Sequence, residues 1–193
     1  MNKPLGHFSI IREHDCPIVP WKNGMGMTRE IAVQPSESAV DDFLWRVSVA
    51  EVNSAAPFSS FPGIDRHIVL LDGAGFTMTL DDDRMHPLDT PFVPFAFAGE
   101  STVAVTLIDG STRDFNLMVR RTNASGDVDV LHEPGVHWLD ATTVLLYVAR
   151  GAVETRAGTL QAGDSLRVAE TASGSITVCK DAVVLVIRIR LKA

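Results

Sequence analysis

The chain has 193 residues, 46% hydrophobic and 21% charged, with a formal net charge of −7 and an isoelectric point near 5.3. That length can bury a sizeable core, and the composition is that of an ordinary folded protein rather than a disordered chain. The acidic balance excludes nucleic acid as the main partner, since duplex binding needs a basic face that neutralises phosphates.

No run of about 18 apolar residues occurs, and the opening MNKPLGHFSI carries no basic-then-apolar signal, so no membrane partner and a cytoplasmic location are expected. Cys16 and Cys179 are far apart and lack metal or redox spacing, which predicts free thiols.

The first informative stretch is WKNGMGMTRE, Trp21 to Glu30. A dinucleotide fingerprint needs a third glycine where Arg29 stands, and a Walker loop needs Gly-Lys-Ser/Thr, so Asn23-Gly24 reads as a turn. The strand it feeds places Thr28 and Glu30 on one face, Arg29 and Ile31 on the other. In FLWRVSVAEV, Trp45, Val47 and Val49 share a face while Arg46 and Ser48 share the opposite one with Leu44 and Ala50. Arg46 is open to two readings, a snorkelling side chain on a solvated face or a group turned into a polar barrel interior.

FSSFPGIDRHIVLL, Phe58 to Leu71, has a turn at Pro62-Gly63 and then delivers Asp65, Arg66 and His67 to the start of a buried strand. Arg66 reads as a cavity residue or as the ion-pair partner of Asp65 or another acid, and His67 as a hydrogen-bonded structural residue or a base. Asp72-Gly73-Ala74-Gly75 has the composition of a hairpin turn, and DDDR, Asp81 to Arg84, that of a solvated hairpin tip. After the strand STVAVTLID, DFNLMVRR puts Asp114, Asn116 and Met118 on one face, a polar floor or ordinary surface.

RTNASGDVD, Arg121 to Asp129, is a polar crossover, and HEPGVH, His132 to His137, is a loop, because Pro-Gly prevents the helix a zinc protease motif requires. TTVLLYVARGAVETR, GTLQAGDSLRV and AVVLVIRIRLK supply further strands, and the first echoes VLLDGAGFTMTL as a weak internal repeat. The predicted fold class is all-β: a cupin-like β-barrel or sandwich, two cupin-like units in one compact body, a bicupin. Residues 1–121 form the N-terminal unit and residues 122–193 complete the second. A metal-binding cupin needs His-x-His, then Glu and a further His; no His-x-His occurs, so neither metal nor other cofactor is expected. There is no Gly-x-Ser-x-Gly elbow and no activated cysteine.

WKNGMGMTREI, FLWRVSVAEV, FSSFPGIDRHIVLLDG and DFNLMVRR, in that order, resemble the HutD/Ves family. The resemblance implies a bicupin-like fold without the cupin metal motif, in a family associated with histidine utilisation and, in its Ves branch, with cold or stress responses. It implies a small-molecule-binding, regulatory or buffering role with an acidic metabolite such as formylglutamate as ligand. The positions carried over as a ligand pocket are Asn23, Arg29, Glu30, Trp45, Arg46, Ser48, Phe58, Phe61, Arg66 and Asp114, none of them catalytic. Arginines suit that ligand, since a planar guanidinium engages both oxygens of a carboxylate. The alternative is a metal-independent cupin isomerase or hydrolase with Glu30 or His67 as base. A homodimer is expected, because cupin-like sheets commonly pair.

Overall fold

Runs of β-branched and aromatic residues bounded by Gly, Pro and Asp become extended strands throughout. A computed structural model of the chain describes residues 8–21, 27–36, 42–52, 55–81, 83–169 and 174–192, which form eighteen β-strands and one 3-10 helix, Glu13–Asp15. The all-β, cupin-like class expected from the strand pattern is the one observed. The turn expected at Asn23-Gly24 lies outside the described residues. Both cysteines are free thiols.

The chain divides into two compact units, residues 1–16 with 126–190 and residues 17–125 with 191–193. The strand β1 (Phe8–Ile11) belongs to the former. The latter holds β2 (Ile18–Pro20), β3 (Met27–Gln34), β4 (Trp45–Val52), β5 (Ile64–Asp72), β6 (Phe76–Leu80), β7 (Arg84–Leu88), β8 (Pro94–Ala98), β9 (Val103–Leu107) and β10 (Thr112–Arg120). A six-stranded sheet in the order β2-β3-β4-β10-β5-β8 lies against a three-stranded sheet, β7-β6-β9. Between them packs an apolar cluster that includes Ile68, Leu70, Phe76, Met78, Val103 and Phe97. A second, smaller cluster of Phe43, Phe61, Ile64 and Met118 fills another part of the same unit. Burial of these side chains is worth about 1.5–3 kcal/mol each.

Two local features set which side chains point inward. In β3 the pairing with β4 shifts between Glu30 and Ala32, so that Glu30 stands opposite Ser48 while Val33 stands opposite Arg46. Such a bulge admits one extra residue and returns the strand to phase. The second feature corrects the hairpin expected at Asp72 to Gly75. β5 pairs with β10 and β8, whereas β6 pairs with β7 and β9, so these residues carry the chain from one sheet to the other. Gly73 and Gly75 hold φ of 93° and 82° there, and a Cβ on Gly75 would lie 2.0 Å from the Leu88 carbonyl oxygen. A glycine pair before an apolar strand suits either connection; only long-range pairing distinguishes them. β6 and β7 pair antiparallel, with Leu80 opposite Arg84, as the hairpin expected at DDDR requires.

The other unit adds β11 (Ala124–Leu131), β12 (Gly135–Leu139), β13 (Thr143–Arg150), β14 (Ala152–Thr155), β15 (Gly158–Gln161), β16 (Ser165–Val168), β17 (Gly174–Val178) and β18 (Val183–Leu191). Its sheets run β1-β16-β13-β18-β11 and β12-β17-β14-β15 around a wholly apolar cluster that includes Leu146, Val153, Leu160, Leu166, Ile176 and Val184. The expected crossover, Arg121 to Asp129, is a short turn at residues 121–123 followed directly by β11.

Candidate functional site

The inner faces of the six-stranded sheet are not uniformly apolar. Alternation along β4 turns Arg46, Ser48 and Ala50 to one side and Trp45, Val47 and Val49 to the other. The β10 register sets Asp114 opposite Ala50, Asn116 opposite Ser48 and Met118 opposite both Arg46 and Arg66. Four adjacent strands thus bring a band of polar side chains to one face. They line a cavity of about 410 Å³, together with Val19, Pro20, Trp21, Phe58, Ser59 and Phe61. That volume suits a small metabolite.

Seven of the ten residues carried over from the resemblance line this cavity: Glu30, Arg46, Ser48, Phe58, Phe61, Arg66 and Asp114. Arg29 and Trp45 do not line it. Each sits one residue from an inward group on an alternating strand, Arg29 opposite Val49 and Trp45 opposite Gln34, so both take the other face of the sheet. Asn23 lies outside the described residues. Thr28, Asn116 and Met118 also line the cavity, and the same alternation that selects Glu30 and Asp114 points to them.

Arg46 and Glu30 form a direct pair, with Arg46 Nε donating to Glu30 Oε2 at 2.7 Å. Arg66 is buried more deeply, at 5% exposure, and does not pair with Asp65, which is bound instead by Arg121 at 2.6 Å. Its Nη2 donates to Asn116 Oδ1 at 2.8 Å, and Asn116 Nδ2 donates in turn to Asp114 Oδ1. The guanidinium carbon lies 4.9 Å from the Phe97 ring centroid, 5.1 Å from that of Phe58 and 5.8 Å from that of Phe61. Three aromatic rings thus offset part of the hydration that the buried cation loses.

The electrostatics follow from burial. Desolvation lowers Arg66 to about 10, against the raising pull of Asp114 and with a further lowering push from Arg46. Asp114, 1% exposed, is raised to about 7, chiefly by desolvation, with Arg66 and the Asn116 bond opposing. Arg66 Nε and Asp114 Oδ2 have no hydrogen-bond partner. Leaving buried polar groups unpaired costs about 1–3 kcal/mol each, so the site holds polar capacity that its own side chains do not satisfy.

The cavity does not fit a cupin metal. Its lining contains no imidazole, and of its two carboxylates Glu30 is engaged by Arg46 while both sit beside guanidinium cations that would repel a metal ion. His67, opposite Leu117 on β5, belongs to the face away from Arg66.

A fold of two cupin-like units, one of them holding a cavity with two arginines and, among the described residues, no cluster of metal-ligating side chains, defines the class. The HutD family model matches residues 13–186, and the chain belongs to that family. A Pseudomonas putida protein described as an uncharacterised 21.2 kDa protein in the hutC 3′ region is 37% identical over 150 residues, covering 78% of each chain. Protein Ves of Citrobacter koseri is 36% identical over 155 residues, 80% of this chain and 75% of that one. The structure of HutD from Pseudomonas fluorescens SBW25, in a formate condition, superposes with a TM-score of 0.82 at 31% identity, over 97% of this chain and 100% of that one.

Proposed function

We propose that the protein is a metal-independent small-molecule-binding protein of histidine utilisation, with a regulatory or buffering role, and that its cavity holds an acidic intermediate such as formylglutamate. One observation carries the reading. A chain of net charge −7 turns two arginines into one cavity and leaves a donor of the buried Arg66 without a partner. Burying a cation is costly, and a structural core would be served more cheaply by apolar side chains. An entering carboxylate would offset that cost. The relatives named for HutD and for the hutC region support the pathway.

The test is a thermal-shift screen of formylglutamate, formiminoglutamate and urocanate. A true ligand at a hundred times its Kd stabilises the protein by roughly 2.7 kcal/mol. Arg66→Ala should abolish most of that shift and Arg66→Lys only part, because lysine keeps the charge and loses the fork. A flat response to every acid, with Arg66→Ala merely lowering the Tm of the free protein, would mark Arg66 as structural.

The enzymatic alternative, an isomerase or hydrolase, has Glu30 as its base on the cavity wall. Turnover of any of these acids, followed by mass spectrometry, would establish it. Self-association as a homodimer is part of the proposal, and sedimentation of a monomer at micromolar concentration would remove it.

A further inference from the structure

Among the described residues the charged side chains lining the cavity are Glu30, Arg46, Arg66 and Asp114. Arg46 is matched by Glu30 at 2.7 Å, so the balance turns on the other two. With Asp114 ionised the lining sums to zero: two guanidinium charges against two carboxylates. With Asp114 neutral it carries one positive charge. An entering carboxylate is attracted in the second state and meets a like charge in the first, and at the low dielectric of a buried site that difference is large.

The surroundings of Asp114 bear this out element by element. β10 contributes Asn116 and Met118, β4 contributes Arg46, Ser48 and Ala50, and β5 contributes Arg66 and, directly opposite, Leu70. β3 contributes Thr28 and Glu30, and the segment before β5 contributes Phe58 and Ser59. No histidine stands among them. Asn116 occupies Asp114 Oδ1, whereas Oδ2 has no partner and is the oxygen that can carry a proton.

On the reading of the cavity as an acid site, we propose that a carboxylate enters together with one proton, which comes from solvent and forms an O–H bond on Asp114. No bond of the ligand changes; the bound state is a ligand carboxylate beside a neutral Asp114 carboxyl, held by Arg66 and Arg46. Burial already brings Asp114 to about 7, so the free protein is partly ionised at neutral pH and has a proton to gain. A second consequence is specificity. The lining neutralises one negative charge, so a dicarboxylate places one carboxylate between the arginines and keeps the other away from Glu30.

Isothermal titration calorimetry decides the matter, with formylglutamate as first probe and, if it is silent, the acid giving the largest thermal shift. Titration at equal pH in two buffers of different ionisation enthalpy, HEPES and Tris at pH 8 and MES and bis-Tris at pH 5.5, separates the heat of buffer ionisation and counts protons. Uptake should approach one proton per ligand at pH 8 and fall toward none at pH 5.5, and the association constant should drop by up to tenfold per pH unit above about 7. Asp114→Asn should bind without uptake and with affinity level across that range.

Binding without proton uptake at pH 8, or uptake that persists in Asp114→Asn, overturns the proposal and leaves the acid-site reading intact. Absence of binding by every acid overturns both. Should Asp114→Asn fail to fold, carbon NMR of the Asp114 carboxyl in wild-type protein gives the same answer: saturation with ligand must move its titration to higher pH.

Discussion

Replacing Asp114 with Asn should stabilise the free protein, and increasingly so as pH rises. The folded state holds this carboxyl at about 7, against an ordinary value of 3.8. A raised acid binds protons more tightly folded than unfolded, so between about pH 4 and pH 7 stability falls as pH increases, and above 7 the whole loss is present. The span corresponds to about 4 kcal/mol. Asparagine has the same shape and no charge to desolvate.

The comparison between pH 5 and pH 8 isolates the effect. At pH 5 the wild-type Asp114 is neutral when folded, so the variant and wild type present Arg66 with the same uncharged neighbour. By pH 8 the gap between them should have widened by about 3 kcal/mol, or roughly 6–12 °C in Tm for a protein of this size. Differential scanning calorimetry at pH 5, 6, 7 and 8 reads it directly. A difference that stays constant from pH 5 to pH 8 would refute the reasoning, because it would mean that Asp114 titrates alike in both states.

Backbone geometry gives a paired prediction. Gly75→Ala should lose at least about 3 kcal/mol, since positive φ and a contact 2.0 Å from backbone combine, whereas Gly63→Ala, at φ 78° with nothing within 4 Å, should lose only about 1 kcal/mol. Urea unfolding of the two variants checks the order. Elemental analysis of purified protein should find no stoichiometric iron, zinc or manganese, and close to one equivalent, removable with loss of stability, would reverse the conclusion drawn from the cavity's donor set.

Much of the site was legible because β-strand periodicity is local. Arg46 with Ser48, Thr28 with Glu30, and Asp114 with Asn116 each follow from a two-residue repeat, which also places Arg29 and Trp45 on the far face. What periodicity cannot choose is which face a strand with two buried faces turns to a cavity: Val47 and Leu117 are as completely buried on one side as Asp114 is on the other. The Arg66–Asn116–Asp114 chain needed the pairing of β5 with β10, across fifty residues of sequence. Phe97 is a similar case, reaching Arg66 because β8 pairs with β5. Nothing in its sequence neighbourhood marks it as an arginine partner. The sheet change at Gly73 to Gly75 was hidden for the same reason.

The three phenylalanines around Arg66 bear on the thermodynamic character of recognition. A free arginine side chain carries about 2 kcal/mol of rotamer entropy. Arg66 surrenders it during folding, between Phe58, Phe61 and Phe97, before any ligand arrives. On the proposed acid site, a carboxylate bound there would not have to immobilise a mobile arm, and its affinity would not be reduced by that ordering. The rigidity also narrows tolerance. Held by Asn116 and packed near three rings, Arg66 presents its unpartnered Nε in one direction, so in the proposed site acids of the same charge should be discriminated by the angle at which their carboxylate meets it.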